Sequence, residues 1–324
     1  MKSRTILLKE GTEFGFVIGS MKSGTTWLMK ALGRLPRVVA HGEMHALEIL
    51  NDFPTLQSTL EDASELNKWL QMPNNGWNQP FRNDLDTYCA EMRRDIFRYT
   101  YERVLQRFIL ENNLTNYIFV IDKNPIHTIE YYHNFIEYFH PYNPFLIHII
   151  RDPRDVAISS WYHFRNLQHT PNQSFIHPTF ENKEDEQRCA ELFSMPESEL
   201  SRETHFFTKP HFLRDVLNSW ANVNSAIIQN TASNETRYIR VKYEKLLEDG
   251  AQELATIISQ IGLEKHLPKN ALIDFDAIFS HPSVKRPRTF RRGTSGQWKK
   301  WLNDGDQDLC MELCGETMKN FDYL

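Results

Sequence analysis

The feature that most narrows the fold is a short apolar run that breaks into a glycine-bounded loop and then a helical pattern. Phe14-Gly15-Phe16-Val17-Ile18 leads into Gly19-Ser20-Met21-Lys22-Ser23-Gly24-Thr25-Thr26-Trp27-Leu28. A brief apolar run closed by a turn signal reads as a buried strand. Backbone N–H groups between the two glycines can wrap an anionic oxygen, and the N-terminus of the following helix adds favourable potential. The alternation recurs. Tyr117 to Ile121, Phe145 to Ile150 and Tyr238 to Val241 read as further strands, and Val38-Val39-Ala40 as another. Helical patterns cover Gly24 to Gly33, Ile126 to Phe139 and Pro153 to Phe164, the last with Asp152 as N-cap and Pro153 at the first helical position. Such a chain is expected to be α/β, a central parallel sheet flanked by helices, of the phosphate-loop nucleotide-binding type. Ligands of such folds bind beyond the carboxyl ends of the strands.

Charge sharpens this expectation. The 324 residues carry a formal net charge of −5, which argues against a generic nucleic-acid binder, so any anion site must come from local basic residues. The stretch Lys285 to Lys300 holds Lys285, Arg286, Arg288, Arg291, Arg292, Lys299 and Lys300 and no acid, an asymmetry that calls for a partner or a solvated face. Four cysteines are too few for a disulfide scaffold, and Cys310 and Cys314, at helical i, i+4 spacing, read as two small residues on one helix face. No metal site is expected. The basic N-terminus carries an apolar stretch of only three residues, so no secretion signal is expected, and no apolar run approaches the roughly 20 residues of a spanning helix. The expectation is a cytoplasmic protein with no membrane or nucleic-acid partner. It forms a single domain over residues 1–324. A loosely organised insertion at about 166–210 reads either as a lid or acceptor-binding segment or as a solvated surface excursion.

A kinase or ATPase loop would place lysine directly after its second glycine. Thr25 stands there, and the lysine lies two residues before Gly24, at Lys22. The run Lys22-Ser23-Gly24-Thr25-Thr26-Trp27 resembles the Lys-Ser-Gly-Thr-Thr-Trp loop of sulfotransferases that use 3′-phosphoadenosine-5′-phosphosulfate (PAPS). The resemblance implies that Lys22 stabilises the leaving 5′-phosphate. Ser23, Gly24, Thr25 and Thr26 would hold that phosphate, and Trp27 would stack on adenine, with a core tryptophan on the first helix turn as the competing reading. Two further segments carry the likeness. Arg151 and Ser159, in Arg151-Asp152-Pro153-Arg154-Asp155-Val156-Ala157-Ile158-Ser159, match the arginine and serine that grip a 3′-phosphate. Arg151 has the fork of donors suited to that anion. Arg154 reads instead as an ion pair with an acidic neighbour. Arg291-Arg292-Gly293-Thr294-Ser295-Gly296-Gln297-Trp298-Lys299 is similar to Arg-Lys-Gly-x-x-Gly-Asp-Trp-Lys, which closes over the nucleotide. Arg291, Arg292 and Gly293 fall on its 3′-phosphate contacts, with Arg292 replacing Lys and Gln297 replacing Asp. Trp220 and Tyr243-Glu244 are further family landmarks, and Tyr243 is implied at the nucleotide. The resemblance implies PAPS as co-substrate and no metal.

Sulfuryl transfer also needs a group to accept the acceptor's proton. The steroid and phenol branch takes it from Lys-Thr-His-x-Pro; here Lys123-Asn124-Pro125-Ile126-His127 keeps the lysine but puts proline where histidine belongs. The carbohydrate and tyrosylprotein branches use a glutamate a little over twenty residues past the loop's basic residue, and Glu43 stands there, in His41-Gly42-Glu43-Met44-His45. Glu43 is the expected base, His45 and His127 are reserves, and Lys123 would stabilise charge on the sulfuryl oxygens. The acceptor would offer a hydroxyl on a small metabolite or saccharide, with an amine as the other class. Two rivals stand beside this reading: a phosphate-loop kinase or NTPase using Asp122 for magnesium, and a non-catalytic binding protein on the same fold.

Overall fold

A computed structural model describes residues 8–42, 95, 99, 101–123, 139, 142–168, 183–200, 210–231, 237–267, 273–285 and 293–324. Glu43, His45, His127, Arg291 and Arg292 lie outside these residues.

Five parallel strands form the sheet: β1 (Glu13–Ile18), β2 (Val38–Gly42), β3 (Phe119–Lys123), β4 (Phe145–Ile150) and β5 (Arg237–Lys242), in the order β2-β3-β1-β4-β5. Their near-continuous apolar content follows from cover on both faces. Val17, Phe119, Ile121, Phe145, Ile147 and Ile149 point to one side, where α1 (Thr25–Leu32) buries Trp27, Leu28, Ala31 and Leu32. Phe14, Phe16, Ile18, Val120 and Leu146 point to the other. Ile150 extends that second face toward α2 (Pro153–Gln168) and α3 (Pro210–Thr231), which bury Val156, Trp161, Leu217 and Trp220. Gly15 is required by this packing: a Cβ there would lie 2.1 Å from the Phe145 ring.

The element following β1 therefore covers one face and the element following β4 the other, although β1 and β4 are neighbours. The chain diverges there, and the carboxyl edge between β1 and β4 is the topological switch point where open α/β sheets bind ligands.

The expected strands recur, β4 with both ends as expected and the other four with one or both ends shifted. β3 was expected over Tyr117 to Ile121 and runs from Phe119 to Lys123. The Ile118 N–H is taken by the Arg37 carbonyl at 2.9 Å, while pairing with β1 and β2 carries the ladder through Asp122 and Lys123, both buried. The helix expected to end at Phe164 continues to Gln168, and a second helix, Lys183–Ser194, lies within the expected insertion. Arg165 donates from Nε to the Phe193 carbonyl at 3.0 Å and from Nη2 to that of Met195, tying the two together. Cys310 and Cys314 are both fully buried on the Asp304–Asn320 helix.

Candidate functional site

The glycine-bounded loop is built around two backbone requirements. At Gly24, φ is 99°, and a Cβ would stand 2.6 Å from Tyr243 Cδ2. Gly24 caps α1 without any side-chain acceptor. The first N–H groups of α1 have no partner within the helix and are aimed at the loop's mouth. Lys22 takes the same left-handed region with φ 67°. A non-glycine residue there is strained by about 1–3 kcal/mol, and such strain gathers where function demands a particular side chain. Ser23 is fully buried and its hydroxyl meets that of Ser20 at 2.6 Å, bracing the loop from inside.

Lysine and arginine converge on this loop from the neighbouring strand ends. Strand alternation sends Lys123 toward α1, where its Nζ donates to Thr26 Oγ1 at 3.2 Å. Arg151, at the end of β4, donates from Nη1 to the Lys22 carbonyl at 3.3 Å. Burial first, then the charges of Arg151 and Lys123, lower the Lys22 ammonium to about 8. Three cationic groups held this close, in a protein of net negative charge, make a site for a polyanion.

Arg151 is the best supported of them. Its ring partner is Tyr243, with the guanidinium carbon 4.4 Å from the ring centroid. Its carbonyl accepts from Trp220 Nε1 at 3.0 Å, and the next N–H, of Asp152, donates to Glu244 Oε1 at 3.1 Å. Tyr323 donates to the other oxygen of Glu244 at 2.7 Å. Arg151 Nε itself is buried and has no acceptor among the described residues. A buried guanidinium N–H is costly to leave unmet, so a ligand acceptor fits here. Ser159 is half-buried on α2, two turns beyond Arg151.

The end of the basic stretch docks onto the start of α2. Asp155 accepts from the Gly296 N–H at 2.6 Å and the Trp298 N–H at 3.2 Å, and Arg151 Nη2 donates to the Thr294 carbonyl at 3.2 Å. Gly293, at φ 59°, begins this described segment beside Arg151. Asp152 caps α2 through the Arg154 N–H at 2.9 Å. Arg154 forms the expected ion pair, with Asp152 at 2.6 Å, and lies 3.8 Å over the Trp298 ring. Neither Asp155 nor Trp298 stood out in the sequence, although both lie within the two matched motifs.

Trp27 is 8% exposed and meets Tyr243 and Phe279 edge-on, each at 5.6 Å. The magnesium strand of the kinase reading does not fit. Asp122 alternates away from Lys123, to the face of Tyr101, whose hydroxyl donates to Asp122 Oδ2 at 3.2 Å; it is turned away from the loop. Among the described residues no cluster of His, Cys, Asp and Glu could hold a metal, and no helix is long and apolar enough to cross a membrane.

A parallel sheet with a phosphate-type loop at its switch point, faced by basic strand ends, defines a nucleotide-binding α/β protein. The family model for the sulfotransferase domain matches residues 15–322, and the chain belongs to that family. Solved structures similar to it include the sulfotransferase domain of the curacin biosynthetic pathway (15% identity, 94% of this chain and 97% of that one, TM-score 0.48). Another is the sulfotransferase domain of the Synechococcus PCC 7002 olefin synthase (16% identity, 94% and 95% covered, TM-score 0.44). A third is the mouse sulfotransferase SULT7A1 complexed with PAP (15% identity, 97% and 86% covered, TM-score 0.42). No curated protein matches the chain in sequence.

Proposed function

We propose that this sulfotransferase takes its sulfuryl group from PAPS and passes it to a hydroxyl of a small metabolite or saccharide, with an amine as the second acceptor class. The observation that carries the donor assignment is the buried Nε of Arg151, unpartnered among the described residues, on a side chain that bonds both the strained Lys22 loop and the docked 293–296 segment. Arg151, Ser159, Arg291, Arg292 and Gly293 would hold the 3′-phosphate. The α1 N-terminus, with Ser23, Gly24, Thr25 and Thr26, would hold the 5′-phosphate. Trp27 and Tyr243 would border the base from the core side. Lys22 would neutralise the oxygen of the breaking S–O bond, and Lys123 the sulfuryl oxygens. Glu43 would accept the proton released as the acceptor oxygen bonds to sulfur. Gly42, the residue before Glu43 in sequence, pairs with Lys123 across β2 and β3. An acceptor screen with PAPS in the presence of a chelator, read by mass spectrometry for an added sulfo group, tests the reading. Products that require ATP and magnesium instead would replace it with the kinase reading.

Arg151→Ala is expected to weaken PAP by about 10- to 150-fold, since one charge-assisted contact is worth roughly 1.5–3 kcal/mol. It should leave adenosine 5′-phosphosulfate, which lacks the 3′-phosphate, nearly unchanged. Equal losses for both ligands in calorimetric titrations would remove Arg151 from the 3′-phosphate.

Lys22 gives the donor site a pH dependence. Its ammonium is lowered to about 8, so it is charged below that pH and neutral above it. A bound 5′-phosphate favours the charged form. PAP affinity is therefore expected to fall as pH rises above 8, by up to about tenfold per unit. Lys22→Met should flatten the profile between about pH 7.5 and 9.5; an unchanged slope in that variant would assign the titration elsewhere.

A further inference from the structure

The chain beyond the Asp304–Asn320 helix turns back onto β5. The helix closes in a Schellman motif. The Asp322 N–H returns to the Lys319 carbonyl at 3.2 Å and the Tyr323 N–H to that of Met318 at 3.1 Å, with Asp322 at φ 54°. Two basic side chains of β5, at the i, i+2 spacing that shares one sheet face, hold this turn. Arg240 Nη1 donates to the Asn320 carbonyl at 3.1 Å, and its guanidinium carbon lies 5.6 Å from the Phe321 ring centroid. Lys242 Nζ donates to the Asp322 carbonyl at 3.3 Å and lies 4.9 Å from the Tyr323 ring centroid. Each thus joins a hydrogen bond to a cation–π contact.

The turn brings its two aromatic residues to the supports of one peptide bond. The peptide between Arg151 and Asp152, where β4 gives way to α2, has both polar groups held by side chains. Its carbonyl accepts from Trp220 Nε1 and its N–H donates to Glu244 Oε1. Phe321, fully buried, packs edge-on against Trp220 with ring centroids 6.5 Å apart. Tyr323 donates to Glu244 Oε2 at 2.7 Å. Burial raises the Glu244 carboxyl, and the Tyr323 hydroxyl works against that rise, favouring the charged form that accepts on both oxygens. The turn lies across the sheet from the donor site. Arg240 and Lys242 alternate with Ile239 and Val241, which pack on the α1 side, and Arg151 meets Tyr243 on that same side. Tyr323 therefore reaches Arg151 through the backbone rather than through a ligand.

We propose that Tyr323 is a positioning residue for the 3′-phosphate site: its hydroxyl, acting through Glu244, fixes the Arg151–Asp152 peptide and with it the direction in which Arg151 presents its guanidinium. The proposal rests on the donor reading above, which gives Arg151 the 3′-phosphate. A guanidinium fork is directional, so a loosened backbone anchor costs the bonds it makes to that phosphate and spares the contacts of the rest of the nucleotide.

The test compares two ligands that differ only in the 3′-phosphate, so it needs no acceptor. PAP and 5′-AMP are titrated calorimetrically into the wild type, Tyr323→Phe, Arg151→Ala and the double variant, with thermal unfolding followed for each. Tyr323→Phe removes one hydroxyl and keeps the ring beside Lys242. It is expected to weaken PAP about 3- to 10-fold and 5′-AMP less than about twofold. In the Arg151→Ala background the same substitution should change PAP less than about twofold, because the group through which it acts is gone. Lys242→Met loosens the turn without touching the hydroxyl. It should weaken PAP about 2- to 5-fold, again sparing 5′-AMP, and it carries the comparison if Tyr323→Phe does not fold. Equal weakening of both ligands marks a merely structural role and overturns the proposal, as does an undiminished effect in the absence of Arg151. A wild type that does not prefer PAP over 5′-AMP overturns the donor reading, and the proposal falls with it. A wild type that does prefer PAP, with an indifferent Tyr323, overturns the proposal alone.

Discussion

Glu43→Gln is expected to lower sulfuryl transfer by about 10²–10⁴-fold while PAP affinity stays within about twofold of wild type. The substitution keeps size and most hydrogen bonding but removes the group that accepts the proton. Donor contacts are assigned to other segments: the loop after β1, the start of α2 and the docked 293–298 segment. The strand that leads to Glu43 ends at Gly42, whose register partner is Lys123. His45→Asn and His127→Asn should each cost far less. The assay must use an aliphatic alcohol or saccharide hydroxyl, because an acidic phenol needs little help losing its proton. An unchanged rate in Glu43→Gln, with collapse in either histidine variant, would return the protein to the histidine branch.

Lys22→Gly is expected to separate stability from function. Turnover should fall about 10²–10³-fold, the scale of losing one charge-stabilising donor at the reacting centre. The fold should become more stable by about 1 kcal/mol, because glycine takes φ 67° without the penalty that lysine carries and the crowded ammonium is gone. Lys22→Ala should lose the same activity with a smaller gain in stability, since alanine keeps the left-handed strain. Thermal unfolding of the three proteins without ligand decides it. A less stable glycine variant would mean that the lysine side chain supports the loop by its contacts.

Much of this architecture was legible because parallel strands buried on both faces leave apolar runs in the sequence. Phe145 to Ile150 was recovered with both ends correct. β3 was misplaced by two residues at each end for a physical reason. Its last two residues, Asp122 and Lys123, are charged yet buried, one held by the Tyr101 hydroxyl and the other against Thr26, so an apolar run could not show where the ladder stops. The phosphate loop was legible because its backbone demands glycine at Gly24. Asp155 was not, because its role depends on N–H groups of Gly296 and Trp298, about 140 residues away, that only the folded chain brings to it. Trp27 carried two readings in the sequence, and its edge-on packing against Tyr243 and Phe279 is visible only in the folded chain.

The central claim is that Arg151 and the basic segment that docks beside it read a 3′-phosphate without help from a metal. The direct measurement is calorimetric titration of the purified protein with PAP, 5′-AMP and ATP, in chelator and again with Mg²⁺. Two charge-assisted contacts to the 3′-phosphate imply that PAP binds at least about 100-fold tighter than 5′-AMP, with the ratio unchanged by chelator. Equal affinities for PAP and 5′-AMP, or tighter binding of ATP that appears only with Mg²⁺, would contradict the account.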